Sequence, residues 1–192
     1  ARDLFEQVAA AADDSGFQRA TQWMGAEALE RLAQLSLEEG EYPRSAEEHL
    51  KLAARWIKLE ERERAVVALG WSGTCEALER PKRVPELWRN LPQDAAWASW
   101  PAERRMKQSV EWATVLLGGK AWATFDALSQ WPWAAELAKN PQSAPPEWEA
   151  EWALLSAKRW QSSPAQSLAH AFHAELAARR IEDISVRQPM LV

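Results

Sequence analysis

One cysteine, seven glycines, one tyrosine and three isoleucines are low counts for 192 residues, and each removes a class of explanation. A single thiol, Cys75, makes neither an internal disulfide framework nor a multi-cysteine zinc site. A reducing compartment is therefore expected, the cytoplasm first and the periplasm as the alternative. Three Ile and eight Val leave the β-branched set thin, and no stretch alternates apolar with polar residues, which disfavours strands. No apolar run approaches the roughly 18 residues a bilayer-spanning helix needs. The first residues, Ala1 to Glu6, resemble neither a signal nor a transit peptide. No membrane insertion is expected. With 28 acidic against 23 basic residues and a net charge of −5, nucleic acid is disfavoured as a partner, because affinity for polyphosphates comes largely from Lys and Arg. The chain opens at Ala1 inside a helical pattern, as a processed chain or a piece of a longer one would.

Tryptophan is what the sequence has in excess: 13 residues, against roughly two or three at ordinary usage. The background is rich in Ala and Leu, with apolar positions recurring at i, i+3, i+4 and i+7, so the predicted fold class is all-α. Helices are expected near 2–12, 16–38, 44–59, 61–79, 101–117, 119–130, 146–160 and 164–181, with short turns near 83–89 and 132–139. Ser15 with Gln18, Ser45 with Glu48 and Ser163 with Gln166 fit capping boxes, and Pro164 suits a first helical position. One helical-repeat domain over 1–184 and an irregular tail over 185–192 complete the expected organisation.

Two motifs repeat. Ala46, Glu47, Leu50, Ala53 and Trp56 align without gaps with Ala102, Glu103, Met106, Ser109 and Trp112, and again with Ala150, Glu151, Leu154, Ala157 and Trp160. On the partner helix, Trp23, Trp71, Trp122 and, more weakly, Phe172 recur about every fifty residues. Large apolar residues at i+4 and i+10 with a small one at i+7 form one helix face that a neighbour approaches closely. The predicted unit is an antiparallel helical hairpin, about four of them, with two long Trp- and Pro-rich connections.

Residues 26–59 carry Leu29, Leu32 and Ala33, then Gly40 and Tyr42 at a turn, then Ala46, Leu50 and Ala53, an order that resembles a tetratricopeptide repeat. The chain departs from that pattern by one extra residue after Tyr42, by Ser36 in place of an aromatic, and by longer connections in the other copies. The resemblance implies an α-solenoid whose first helices line a groove for a protein or peptide partner. Carried onto this chain, the groove positions are Glu27, Glu30, Gln34 and Glu38, so a basic partner segment is expected. The connection residues Trp97, Trp100, Trp131 and Trp133 are expected to fold back and cap the stack or, as the other reading, to be the aromatic candidates for partner contact.

No catalytic set emerges. His170 and His173 share a helix face without further metal ligands, Asp13 and Asp14 precede a cap, Cys75 sits mid-helix, and Gly118 with Gly119 fits a turn rather than a phosphate loop. Neither a metal nor a cofactor is expected. The function indicated is a non-catalytic scaffold or adaptor. The alternative is a carbohydrate-active segment of a Trp-rich α/α hairpin fold, suggested by Glu147, Glu149 and Glu151 around Trp148 and Trp152.

Overall fold

The computed structural model describes residues 2–14, 19–134, 146–179 and 181, and among them every regular element is helical. The main helices are α1 (Arg2–Asp14), α2 (Arg19–Glu38), α3 (Tyr42–Lys58), α4 (Arg62–Glu79), α7 (Ala102–Gly118), α8 (Trp122–Leu128), α9 (Pro146–Arg159) and α10 (Pro164–Arg179). The first connection holds α5 (Glu86–Asn90), a 3-10 turn (Leu91–Gln93) and α6 (Ala95–Ala98). The chain divides into two compact units, Ala1–Ser99 and Trp100–Val192, with the boundary at the end of that connection. The expected tail at 185–192, the Ser15–Gln18 cap and most of the predicted turn at 132–139 lie outside the described residues.

In the first unit consecutive helices α1 to α4 pack side by side. Leu29 and Leu32 of α2 meet Leu52, Ala53 and Trp56 of α3, with Ala9 of α1 and Ala65 of α4 closing the cluster. Gly25 is small for a reason: a β-carbon there would overlap the Arg55 guanidinium and Ala12 of α1. In the second unit α9 packs on α10 through Ala150, Ala177 and Ala178, and alanines there let the two backbones approach closely.

Three helices end on the same three-residue turn. Glu41 N–H reaches back to Ser36 O, Glu61 N–H to Trp56 O and Ala121 N–H to Leu116 O. Each closes around one left-handed residue, Gly40 (φ 77°), Glu60 (φ 64°) or Lys120 (φ 58°). Glycine takes that conformation without penalty only at the first; at the third, Gly119 stands one residue too early. The Ser45–Glu48 capping box is not formed. α3 begins three residues earlier, at Tyr42 with Pro43 in its first turn, so both side chains fall inside the helix. There Ser45 Oγ donates to Ala33 O at 2.8 Å and Ser36 Oγ donates to Glu48 at 2.6 Å, tying α3 to α2.

Burial divides the tryptophans by position. Five of the six connection rings, Trp88, Trp97, Trp100, Trp131 and Trp133, are buried. The sixth, Trp148, and four of the six repeat-position rings, Trp23, Trp71, Trp122 and Trp160, are half-exposed. The first connection folds into short helices that turn Trp88 and Trp97 inward. Asp94 caps α6 by accepting from Ala96 N–H at 2.8 Å, which fixes the entry of Trp97, and Trp88 lies against Gly73 of α4. Trp131 stands edge-on to Trp112 with centroids 6.3 Å apart. Three of the half-exposed repeat rings, Trp23, Trp122 and Trp160, are covered by cations instead. Arg64 lies 4.7 Å from the centroids of both Trp23 and Trp56, and Arg159 lies 5.0 Å and 4.7 Å from those of Trp122 and Trp160.

Candidate functional site

A cleft of about 660 Å³ opens in the second unit between α8, α9 and α10. This volume is in the range of small-ligand and side-chain pockets. Helix spacing builds it: Glu149, Trp152, Ala153 and Ser156 recur at three- and four-residue intervals along α9, and His170 and His173 do so on α10. Phe125 stacks on Trp152 with centroids 5.5 Å apart and planes 9° from parallel, while Trp133 meets Trp152 edge-on at 5.1 Å. Phe125 and Trp133 are buried; Trp152 and Trp160 are half-exposed and offer the accessible aromatic surface.

Both carboxylates of the cleft are engaged with the protein. Asp126 receives both arms of Arg159, at 2.9 and 2.8 Å. Glu149, nearly buried, lies 2.7 Å from His173 Nε2. Burial, then the neighbouring His173, pushes the His170 imidazole below its ordinary pKa. Two anchored carboxylates beside a wall of indole and phenyl rings make a surface suited to gripping an apolar side chain with a polar rim around it.

The residues singled out from sequence fall elsewhere. Glu27, Glu30 and Glu38 are exposed and Gln34 is half-buried, all on one face of α2, opposite the face that packs on the core. Glu27 accepts the Trp23 indole N–H at 2.9 Å, and Gln34 donates to Glu38 at 3.1 Å, so the four form a ridge tied to its own helix. None of them lines the cleft. Trp97, Trp100 and Trp131, at 1, 4 and 5% exposure, are core rings, and a ring so enclosed stacks on no ligand unless the unit opens. Only Trp133 reaches the cleft, as part of its wall.

The remaining reactive side chains are structural. Cys75 Sγ lies 3.2 Å from Ser45 Oγ in the core of the first unit, and burial raises its pKa to about 11, so it stays a thiol. His49 is held by Ser45 O at 2.8 Å and stacked on Trp71, and burial lowers its pKa. Among the described residues no group of three or more His, Cys, Asp or Glu side chains could hold a metal ion, and no helix is long and apolar enough to cross a membrane. Around Trp148, whose ring carries Lys107 at 5.5 Å, burial and the nearby Glu111 raise the pKa of Glu151.

No protein-family model, no curated protein and no solved structure matches the chain. The site therefore rests on its own geometry.

Proposed function

We propose that the protein is a non-catalytic interaction module of tetratricopeptide-like helical hairpins, which holds a peptide segment of a protein partner by seating a large apolar side chain in the cleft of the second unit. The observation that carries this reading is the half-exposed Trp152 and Trp160 over a floor of Phe125, Trp133 and Met106. A concave aromatic patch of this kind is where binding energy concentrates in protein interfaces. Binding rather than chemistry is favoured because the thiol is buried and protonated, and because both cleft carboxylates are committed to Arg159 and His173. The exposed acids of α2 are a second, electrostatic contact for a basic stretch of partner, screened over about 8 Å at physiological salt.

The test is selection of random twelve-residue peptides against the intact chain, followed by titration of the selected peptides. Enrichment of a large apolar residue is expected, with at least tenfold weaker binding to Trp152→Ala and a smaller, salt-sensitive loss in Glu30→Lys/Glu38→Lys. Equal binding by Trp152→Ala refutes the cleft as the site.

A further inference from the structure

A second cleft, of about 650 Å³, lies in the first unit between α1 and α3, over Leu29 and Leu32 of α2. Its two walls are oppositely charged. α1 carries one basic and four acidic residues, whereas α3 carries four basic and two acidic ones. Arg44 bonds Glu6 at 2.8 Å and Arg55 bonds Asp13, so two ion pairs two helical turns apart on α1 bracket the cleft. Arg2 adds a tether to Ser36 and Glu39.

α1 is a light occupant of this surface. Ala9 and Ala12 are its buried side chains, Phe5 and Val8 are half-buried, and Leu4 is 62% exposed. Much of the cationic wall is left over. Among the described residues Lys51 pairs with Glu47 of its own helix, Lys58 makes no ion pair, and the buried Arg55 Nη1 has no acceptor.

From the charge complementarity and the unfilled cleft, we propose that the α2–α3 surface beneath α1 is a docking site for an acidic amphipathic helix, which α1 occupies as a displaceable stand-in. The preferred helix keeps acids at the places of Glu6 and Asp13, adds an acid toward Lys51 and Lys58, and carries a larger apolar residue where α1 has Ala10. The inference rests on reading the chain as an interaction module. It names a partner chemistry for the first unit that is independent of the aromatic cleft in the second.

Fluorescein-labelled peptides of residues 2–14 are titrated into the full chain, both native and with Glu6→Arg/Asp13→Arg, which turns the tethering acids of α1 against Arg44 and Arg55. The native peptide is expected to bind the charge-reversed chain at least tenfold more tightly than the native chain, where α1 competes at high effective concentration. A peptide with Ala10→Leu binds more tightly still, and one with Glu6→Gln/Asp13→Asn at least tenfold more weakly. Equal binding of the neutral and native peptides overturns the proposal, as does equal binding by the two chains with α2 to α4 still folded by circular dichroism. If the charge-reversed chain does not fold, amide exchange on the native chain decides: α1 amides exchanging faster than Leu52 and Trp56 support the proposal, and equally slow exchange overturns it. Because the comparison turns on Glu6, Asp13, Arg44 and Arg55 of the first unit, loss of peptide selection in Trp152→Ala leaves it standing. Conversely, failure of the titration leaves the cleft in the second unit untouched.

Discussion

Gly73 lies in the middle of α4, where replacing glycine by alanine in a helix ordinarily stabilises by about 1 kcal/mol, through backbone entropy and propensity. Here the sign is expected to reverse. A β-carbon on Gly73 would come within 2.5 Å of Trp88 Cδ1 and 2.8 Å of Trp88 Nε1. Ordinary contact begins near 3.4 Å, so the ring and the helix must separate by close to 1 Å. The indole has nowhere to retreat, being 1% exposed, and Leu87 Cβ stands 3.5 Å away on the same side. Overpacking of this kind costs about 1–3 kcal/mol, which leaves Gly73→Ala net destabilising by about 0–2 kcal/mol after the helical gain. Trp88→Ala alone should cost about 3–5 kcal/mol through the cavity it leaves. In that background the obstruction is gone, so adding Gly73→Ala should stabilise by about 1 kcal/mol. Urea unfolding of the four chains, followed by far-ultraviolet circular dichroism, measures the cycle. A coupling energy of about 1–3 kcal/mol supports the packing of the connection onto α4. Additive effects, or a stabilising Gly73→Ala in the native background, would refute it.

Relief of the left-handed backbone at Glu60 and Lys120 should make Glu60→Gly and Lys120→Gly each neutral to about 1 kcal/mol stabilising in urea unfolding, since a non-glycine residue there costs roughly 1–2 kcal/mol and glycine gives back part of that in unfolded-state entropy. Arg64→Ala should destabilise by about 0.5–1 kcal/mol and increase acrylamide quenching of tryptophan fluorescence, because it uncovers Trp23. Burial lowers the pKa of His49, so below about pH 6.5 the unfolded chain takes up a proton that the folded chain refuses. Its contribution is complete above that pH and is lost as pH falls, at up to about 1.4 kcal/mol per pH unit until the folded-state pKa is reached. The difference in unfolding free energy between the native chain and His49→Gln, followed from pH 7.5 to 5, should therefore carry this slope, and a flat difference would show that His49 is not held neutral.

Helix positions were legible because they follow from periodicity and from Pro and Gly punctuation, and most observed ends fall within three residues of those expected. Turn chemistry was less so. Glu60 and Lys120 adopt a glycine-like conformation that nothing in their residue type announces, and Ser45 with Glu48 matches a capping box yet serves as an interhelical hydrogen-bonding pair. For the proline-flanked tryptophans the sequence left two readings, folding back to cap the stack or facing a partner, because connections usually run over the surface. Short helices such as Ala95–Ala98 let such segments satisfy their own backbone and bury their rings. The cleft was hidden for another reason: Phe125, Trp152 and His173 come from three helices, and no local pattern records that they converge.

One signal for the site did lie in the repeat. In the ungapped alignment of the second helices, Trp152 occupies the place of Glu48 and Arg104. In the first unit that place holds a buried carboxylate receiving the Ser36 hydroxyl, with Arg44 against it, so the α1–α3 cleft is walled by ions. In the third copy an indole stands there, stacked on Phe125, and the corresponding wall becomes aromatic. A substitution that kept packing alone would have no need to trade a polar group for the largest apolar side chain at a position left half-exposed. The two units thus present clefts of similar size and opposite chemistry, one walled by ions between α1 and α3, the other walled by aromatic rings. That divergence, more than the abundance of tryptophan, is the reason to look for one partner surface on each unit.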